Sequence, residues 1–161
     1  MKLLIALIAM FFVGFGVDQV DAQEQGQDHD HATEMITLTP DDIVWQRAPD
    51  VLPLGAQIAY LSGDMTKEGV WTARLKLPAN YQIPAHYHGA FEYVTVISGE
   101  FLLGSGKVFD QRVLKSLPAG SFFVMPPEHV HFAMTKVETV IQIHADQPFT
   151  MTYVEDNKIK P

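Results

Sequence analysis

The sequence predicts an all-β domain, on three observations. Beyond Pro53 the chain is cut into short runs rich in β-branched and aromatic residues, each bounded by Gly, Pro or Asp. One run, VWTARLKL, alternates cleanly, with Trp71, Ala73, Leu75 and Leu77 on one face and Thr72, Arg74 and Lys76 on the other, the period of a half-buried strand. Nothing resembles a nucleotide-binding Gly loop, a G-x-S-x-G nucleophile turn or an internal repeat. Many short strands between Gly/Pro turns fit a sandwich or barrel and not an α/β fold.

The chain opens with Met1-Lys2 and the uncharged run LLIALIAMFFVGFGV. A basic start and a run too short for a comfortable bilayer span read as a signal peptide, residues 1–22, cleaved after Val20-Asp21-Ala22. Asp18 and Asp21 follow the apolar run where a membrane anchor would carry a basic stop-transfer cluster. The expectation is an exported protein, periplasmic or secreted, with no stable membrane anchor after cleavage. There is no Cys, which excludes disulfides and a lipid-attachment thiol. The net charge of −8, without basic clusters, excludes nucleic acid as a natural partner. Residues 23–36 begin QEQGQDHDHATE and read as a flexible polar tail. His29 and His31 in that tail are either weak metal-capturing groups or part of a solvated linker.

Residues 37–161 are then the single folded domain. Thr39 as N-cap and Pro40 at the first helical position predict a short N-terminal helix of about two turns, stopped by Pro49. Strands are expected in AQIAYLSGD, VWTARLKL, EYVTVIS, EFLLGSG, SFFVM, HVHFAM, ETVIQIH and FTMTYV, with a helical insert possible in KVFDQRVLKS. Trp45, Trp71, Phe122 and Phe123 read as core, and Tyr87 and Tyr93 as packing residues.

The chemistry concentrates in NYQIPAHYHGAFEYVTVISG, residues 80–99. His86 and His88 are spaced i, i+2 and share a face if extended, and Glu92 can return on the next strand to meet them. Two imidazoles and a carboxylate suit a divalent transition metal, although a lone His-x-His also occurs as the polar face of an exposed strand. A second stretch, GSFFVMPPEHVHF, offers His129 and His131 at the same spacing.

Together the two stretches resemble the cupin motifs. His86, His88, Glu92 and Gly99 fall on the spacing of the first motif, and Gly120, Pro126 and His131 on that of the second. Three positions depart: Asn80 and Glu128 replace Gly, and Thr135 replaces Asn, which puts turn geometry in question and leaves the ligand positions intact. The resemblance covers most of the chain, from about Gly55 to Tyr153, and implies a cupin-type jelly roll, or double-stranded β-helix barrel. It also implies a metal site of His86, His88, Glu92 and His131 with positions open to water or a small ligand. His129 is then either a cavity group or a surface residue. Gln142 and His144 share one face of ETVIQIH, and line a substrate pocket if that face is inward.

By resemblance, three-His, one-Glu cupins include oxygenases, oxidases, decarboxylases and isomerases. The leading expectation is a metal-dependent enzyme, dioxygenase-like, acting on a small oxygenated molecule, with Glu92 or His129 moving protons. The alternative is a non-catalytic, metal-dependent binding or sensing module. Mn, Fe, Cu and Zn all suit the ligand set, a homodimer is implied by resemblance alone, and metal binding is expected to weaken on acidification through about pH 6 as imidazoles protonate.

Overall fold

The computed structural model describes residues 35–154, so the expected signal peptide, His29 and His31 of the expected tail, and the last seven residues lie outside it. Eleven strands form two antiparallel sheets. Sheet A contains β1 (Gln46–Arg47), β2 (Gln57–Ser62), β3 (Trp71–Leu77), β5 (Glu92–Ser98), β8 (Phe122–Met125) and β10 (Thr139–Ala145), in the order β1-β2-β3-β10-β5-β8. Sheet B contains β4 (Gln82–Tyr87), β6 (Glu100–Ser105), β7 (Lys115–Pro118), β9 (His131–Thr135) and β11 (Thr152–Tyr153), in the order β11-β4-β9-β6-β7.

Alternation decides what each strand of sheet A turns inward. Trp71, Ala73, Leu75 and Leu77 of β3, Ile141 and Ile143 of β10, and Val94 and Val96 of β5 are buried. Glu92 has the same parity as Val94 and Val96, so the pleat that builds the core also carries a carboxylate into it. Across the interior, Phe101 of β6 stacks on Phe123 of β8 at 5.9 Å and ties the sheets together.

Both expected helices are shorter than their signals. Asp42 accepts hydrogen bonds from the amide and hydroxyl of Thr39, at 2.7 and 2.6 Å, but the helix is a single 3-10 turn, Pro40–Asp42. Sheet pairing ends it, because Gln46 and Arg47 are drawn into β1 against Ile58 and Gln57. The second is likewise one 3-10 turn, Gln111–Val113, and Lys115–Pro118 pairs with β6 as β7.

The departures from the motif spacing are accommodated locally. Asn80 and Glu128 both adopt positive φ, 59° and 60°, in the region glycine would occupy freely. The Glu128 amide donates to the His88 carbonyl at 2.8 Å, which fastens the second motif's turn to the first motif. Thr135 is fully buried, donates to the Pro78 carbonyl at 2.6 Å and accepts from the Tyr81 amide at 3.2 Å.

Gly104 of β6 lies opposite Phe132 of β9, and a Cβ there would run into the Phe132 ring. Phe132 is fully buried beside His131, so this contact sets how deeply β9 sits. Gly104→Ala should therefore destabilise the barrel by about 1–3 kcal/mol, the cost of overpacking a filled core, measured as a lower urea midpoint.

Candidate metal centre

His86, His88 and His131 come together at one end of the barrel interior, with a nitrogen of each within 4.8 Å of the others. All three are buried. His86, next to last in β4, faces His131 of β9 directly across the ladder. The register slips between Ile83 and His86, where Pro84 has no amide to give the ladder. His88 follows just beyond the strand end. Ring centroids lie 4.1 Å apart for His86–His131, 5.0 Å for His86–His88 and 5.2 Å for His88–His131.

The orientation of each ring is fixed by a backbone carbonyl. Nδ1 of His86 lies 2.6 Å from the Pro84 carbonyl, Nδ1 of His88 2.8 Å from that of Thr150, and Nδ1 of His131 2.9 Å from that of His129. A carbonyl can only accept, so each Nδ1 carries the proton and each Nε2 presents a lone pair to the cluster. Glu92, at the first position of β5, brings Oε2 to 3.6 Å from Nε2 of His88. That is longer than a hydrogen bond, and Glu92 stands outside the tight group that the three histidines form.

Burial sets the charges. It pushes the His86 imidazole down to about 2, aided by the nearby His131, and His131 down to about 4. The same burial raises the Glu92 carboxyl above the usual carboxylate range, against the pull of His88. Proton competition at His86 and His131 therefore begins well below the pH 6 expected from ordinary imidazoles.

The cluster opens into a cavity of about 40 Å³, room for an ion and a water or two. Its lining is apolar, including Phe101, Phe123, Ile141 and Ile143, and among the described residues its only polar side chains are His86, His88, Glu92 and His131. The site is thus three inward lone pairs with the Glu92 carboxyl beside them, an arrangement that suits a cation. Nitrogen and carboxylate ligands fit Mn, Fe, Cu or Zn, and the carbonyl-held Nδ1 groups are the usual outer support of metal-bound histidines.

Other candidate residues lie elsewhere. The His129 ring is exposed and bonds Ser105 Oγ at 3.0 Å, so only its backbone carbonyl serves the cluster. It is corrected from a proton-moving side chain to a positioning carbonyl. Gln142 and His144 face away from the cavity because Ile141 and Ile143 of the same strand face into it. Gln142 accepts from Arg74 Nε at 3.0 Å, and His144 stacks on Tyr93 at 5.0 Å. Of the aromatics, Trp71 is core and Phe123 lines the cavity. Phe122 points outward and is 57% exposed, while Trp45 is half-buried beneath Lys76 Nζ, 4.3 Å from its ring. Unforeseen were the carbonyl of Thr150 and the side chains of Leu52, Phe149 and Met151 in the cavity wall. Only Pro84, placed to break the ladder just before His86, left any trace in the sequence.

Residues 13–152 match the family described as a domain of unknown function, DUF4437, a cupin-type family. The chain is a cupin of that family. The barrel is similar to the polyketide cyclase RemF from Streptomyces resistomycificus, with a TM-score of 0.63 at 15% identity over 75% of this chain and 86% of that one. It is also similar to an acetylacetone dioxygenase from Acinetobacter johnsonii, at 0.59 and 16% over 81% and 85%. An RmlC-like cupin from Shewanella frigidimarina aligns at 0.54 and 15% over 71% and 92%. At these identities the likeness is one of fold. Among curated proteins none matches this cupin in sequence.

A neutral, buried His131 makes the metal-free protein acid-sensitive. Its pKa falls from 6.5 unfolded to about 4 folded, so between those values the unfolded chain binds the extra proton and stability declines as pH falls. The expected loss is on the order of 3 kcal/mol across that window, and His86 extends it toward pH 2. Glu92 acts with the opposite sign, since its raised pKa gives stability that is present in acid and lost as pH rises through the folded value. Urea midpoints of chelator-treated protein at stepped pH should show the decline below 6.5, and His131→Gln should flatten it.

Proposed function

We propose that this cupin is an exported, metal-dependent enzyme of dioxygenase type that acts on a small oxygenated molecule. The observation that carries the reading is the cluster of three Nε2 lone pairs, with the Glu92 carboxyl beside it, in an otherwise apolar cavity. The basic start, apolar run and small-residue cleavage site of residues 1–22 support export. The fold likeness to an acetylacetone dioxygenase supports the reaction class.

His86, His88 and His131 would hold the ion through Nε2. A divalent metal there supplies Lewis-acid or redox chemistry to an oxygen ligand. The carbonyls of Pro84, Thr150 and His129 keep the three rings aimed without reorganisation. Glu92 has two roles within reach. It can complete the ligand set, or hold a substrate proton at Oε2, and burial favours the protonated form. The apolar walls exclude water and strengthen every charge interaction inside. Binding without turnover is the second reading, since the acid and base groups lining the cavity among the described residues are the four of the cluster itself.

Elemental analysis of the exported protein, purified without chelators, should find close to one equivalent of a transition metal, with His88→Ala losing it. Metal absent from both after reconstitution would overturn the reading. Oxygen uptake with a panel of diketones, phenols and oxalate separates enzyme from binding module. In the enzyme, Glu92→Gln should retain metal with at most about a tenfold loss of affinity while lowering turnover about a hundredfold or more, the usual weight of a proton-transferring group.

A further inference from the structure

We propose that Phe149 is a side-chain gate between the cavity at the histidine cluster and an adjoining apolar chamber. The ligand would carry a hydrocarbon body into that chamber while its oxygen atoms face the histidines. The chamber itself is independent of the metal reading; the placement of the ligand's oxygens rests on it.

The chamber is a void of about 20 Å³ beneath sheet A, whose described lining, from Pro49 and Met65 to Ala73, has no charged residue and one side-chain nitrogen or oxygen, the indole nitrogen of Trp71. That atom is already committed, donating to the Gln147 carbonyl at 2.8 Å. The wall shared with the cluster cavity consists of Leu52, Leu75, Ile143 and Phe149. Leu75 and Ile143 are buried residues of the paired strands β3 and β10, where Leu75 stands opposite Ile141 and Ile143 opposite Ala73, and so cannot move without the sheet. Phe149 is different: it is half-buried, lies in the segment between β10 and β11, and also bounds a third small void beside His88 and Glu92. It is the one residue common to all three spaces.

Its backbone is pinned while its ring is not. The Phe149 amide donates to the Met65 carbonyl at 2.8 Å, and the neighbouring Thr150 carbonyl holds His88 Nδ1 at 2.8 Å. The ring packs edge-to-face with Trp71 at 6.1 Å and tilted against His88 at 5.3 Å. Rotation about its side-chain torsions would join the spaces without breaking a hydrogen bond. Closed, the cluster cavity of about 40 Å³ admits a water or two but no organic molecule of ordinary size. The chamber has no group to satisfy a polar or charged tail, whose burial would be costly.

The first test uses metal-free protein and toluene, followed by methyl NMR at Leu75 and Ile143. Phe149→Ala should bind toluene about tenfold or more tightly than the parent, the burial of a few carbon atoms, and Phe149→Leu, which keeps an apolar side chain in place, should fall between. The second loads parent and variants with metal and compares acetohydroxamate with octanohydroxamate by calorimetry. The preference for the long chain should rise about tenfold or more in Phe149→Ala at unchanged metal content. Toluene shifts that are absent from Leu75 and Ile143 in both variants, or chain-length preferences equal to the parent's at equal metal content, would overturn the gate. Toluene entry without any metal uptake would uphold the gate and overturn the metal reading instead.

Discussion

The site depends on three hydrogen bonds in which a backbone carbonyl takes the Nδ1 proton of a histidine. Without them an imidazole in an apolar cavity could present either nitrogen and either ring face. With them, three lone pairs turn toward one common space. Neutral donors facing inward would have been satisfied locally; inward lone pairs are satisfied by a cation or by acid. The depressed basicity of His86 and His131 shows that burial makes acid the weaker competitor.

The barrel serves this arrangement by dividing the labour between its sheets. Sheet B supplies His86 and His131 on the adjacent strands β4 and β9, and β9 is seated against β6 by the close approach of Gly104 to the Phe132 ring. Sheet A supplies Glu92 through ordinary strand alternation, at a position that elsewhere on β5 holds valine. The carboxylate is thus brought in from the opposite wall, close to His88 and at the margin of the triad. Such a position suits a group that changes its proton or ligand state more than one locked in place.

Much of this was legible in the residues. The i, i+2 histidines, the carboxylate four positions on and the distant His131 stand at the spacings that bring them to one end of the interior, and alternation in VWTARLKL gave a strand with the right inward face. What could not be read is which face of an alternating strand turns inward. Gln142 and His144 alternate as well as Ile141 and Ile143 do, and only packing chooses between them. His129 and His131 share a spacing, but the turn at Glu128 leaves the first outside and the second at the start of β9. The capping signal at Thr39 and Pro40 was real at the level of hydrogen bonds, yet pairing with β2 outweighed it after one turn. The supporting carbonyls were invisible because a carbonyl has no side-chain identity to read.

The carbonyl that aims His88 belongs to Thr150, 62 residues further along. A chain emerging amino end first displays all three histidines before that anchor exists. The complete cluster is therefore among the last features to form, and it forms only where the chain is whole. A nascent chain would meet the metals of the compartment of its synthesis with loose, unaimed imidazoles and little power to keep them. An ion held by the proposed centre would then be kept only once the segment carrying Thr150 has folded, so that chain order sets when the cluster can bind.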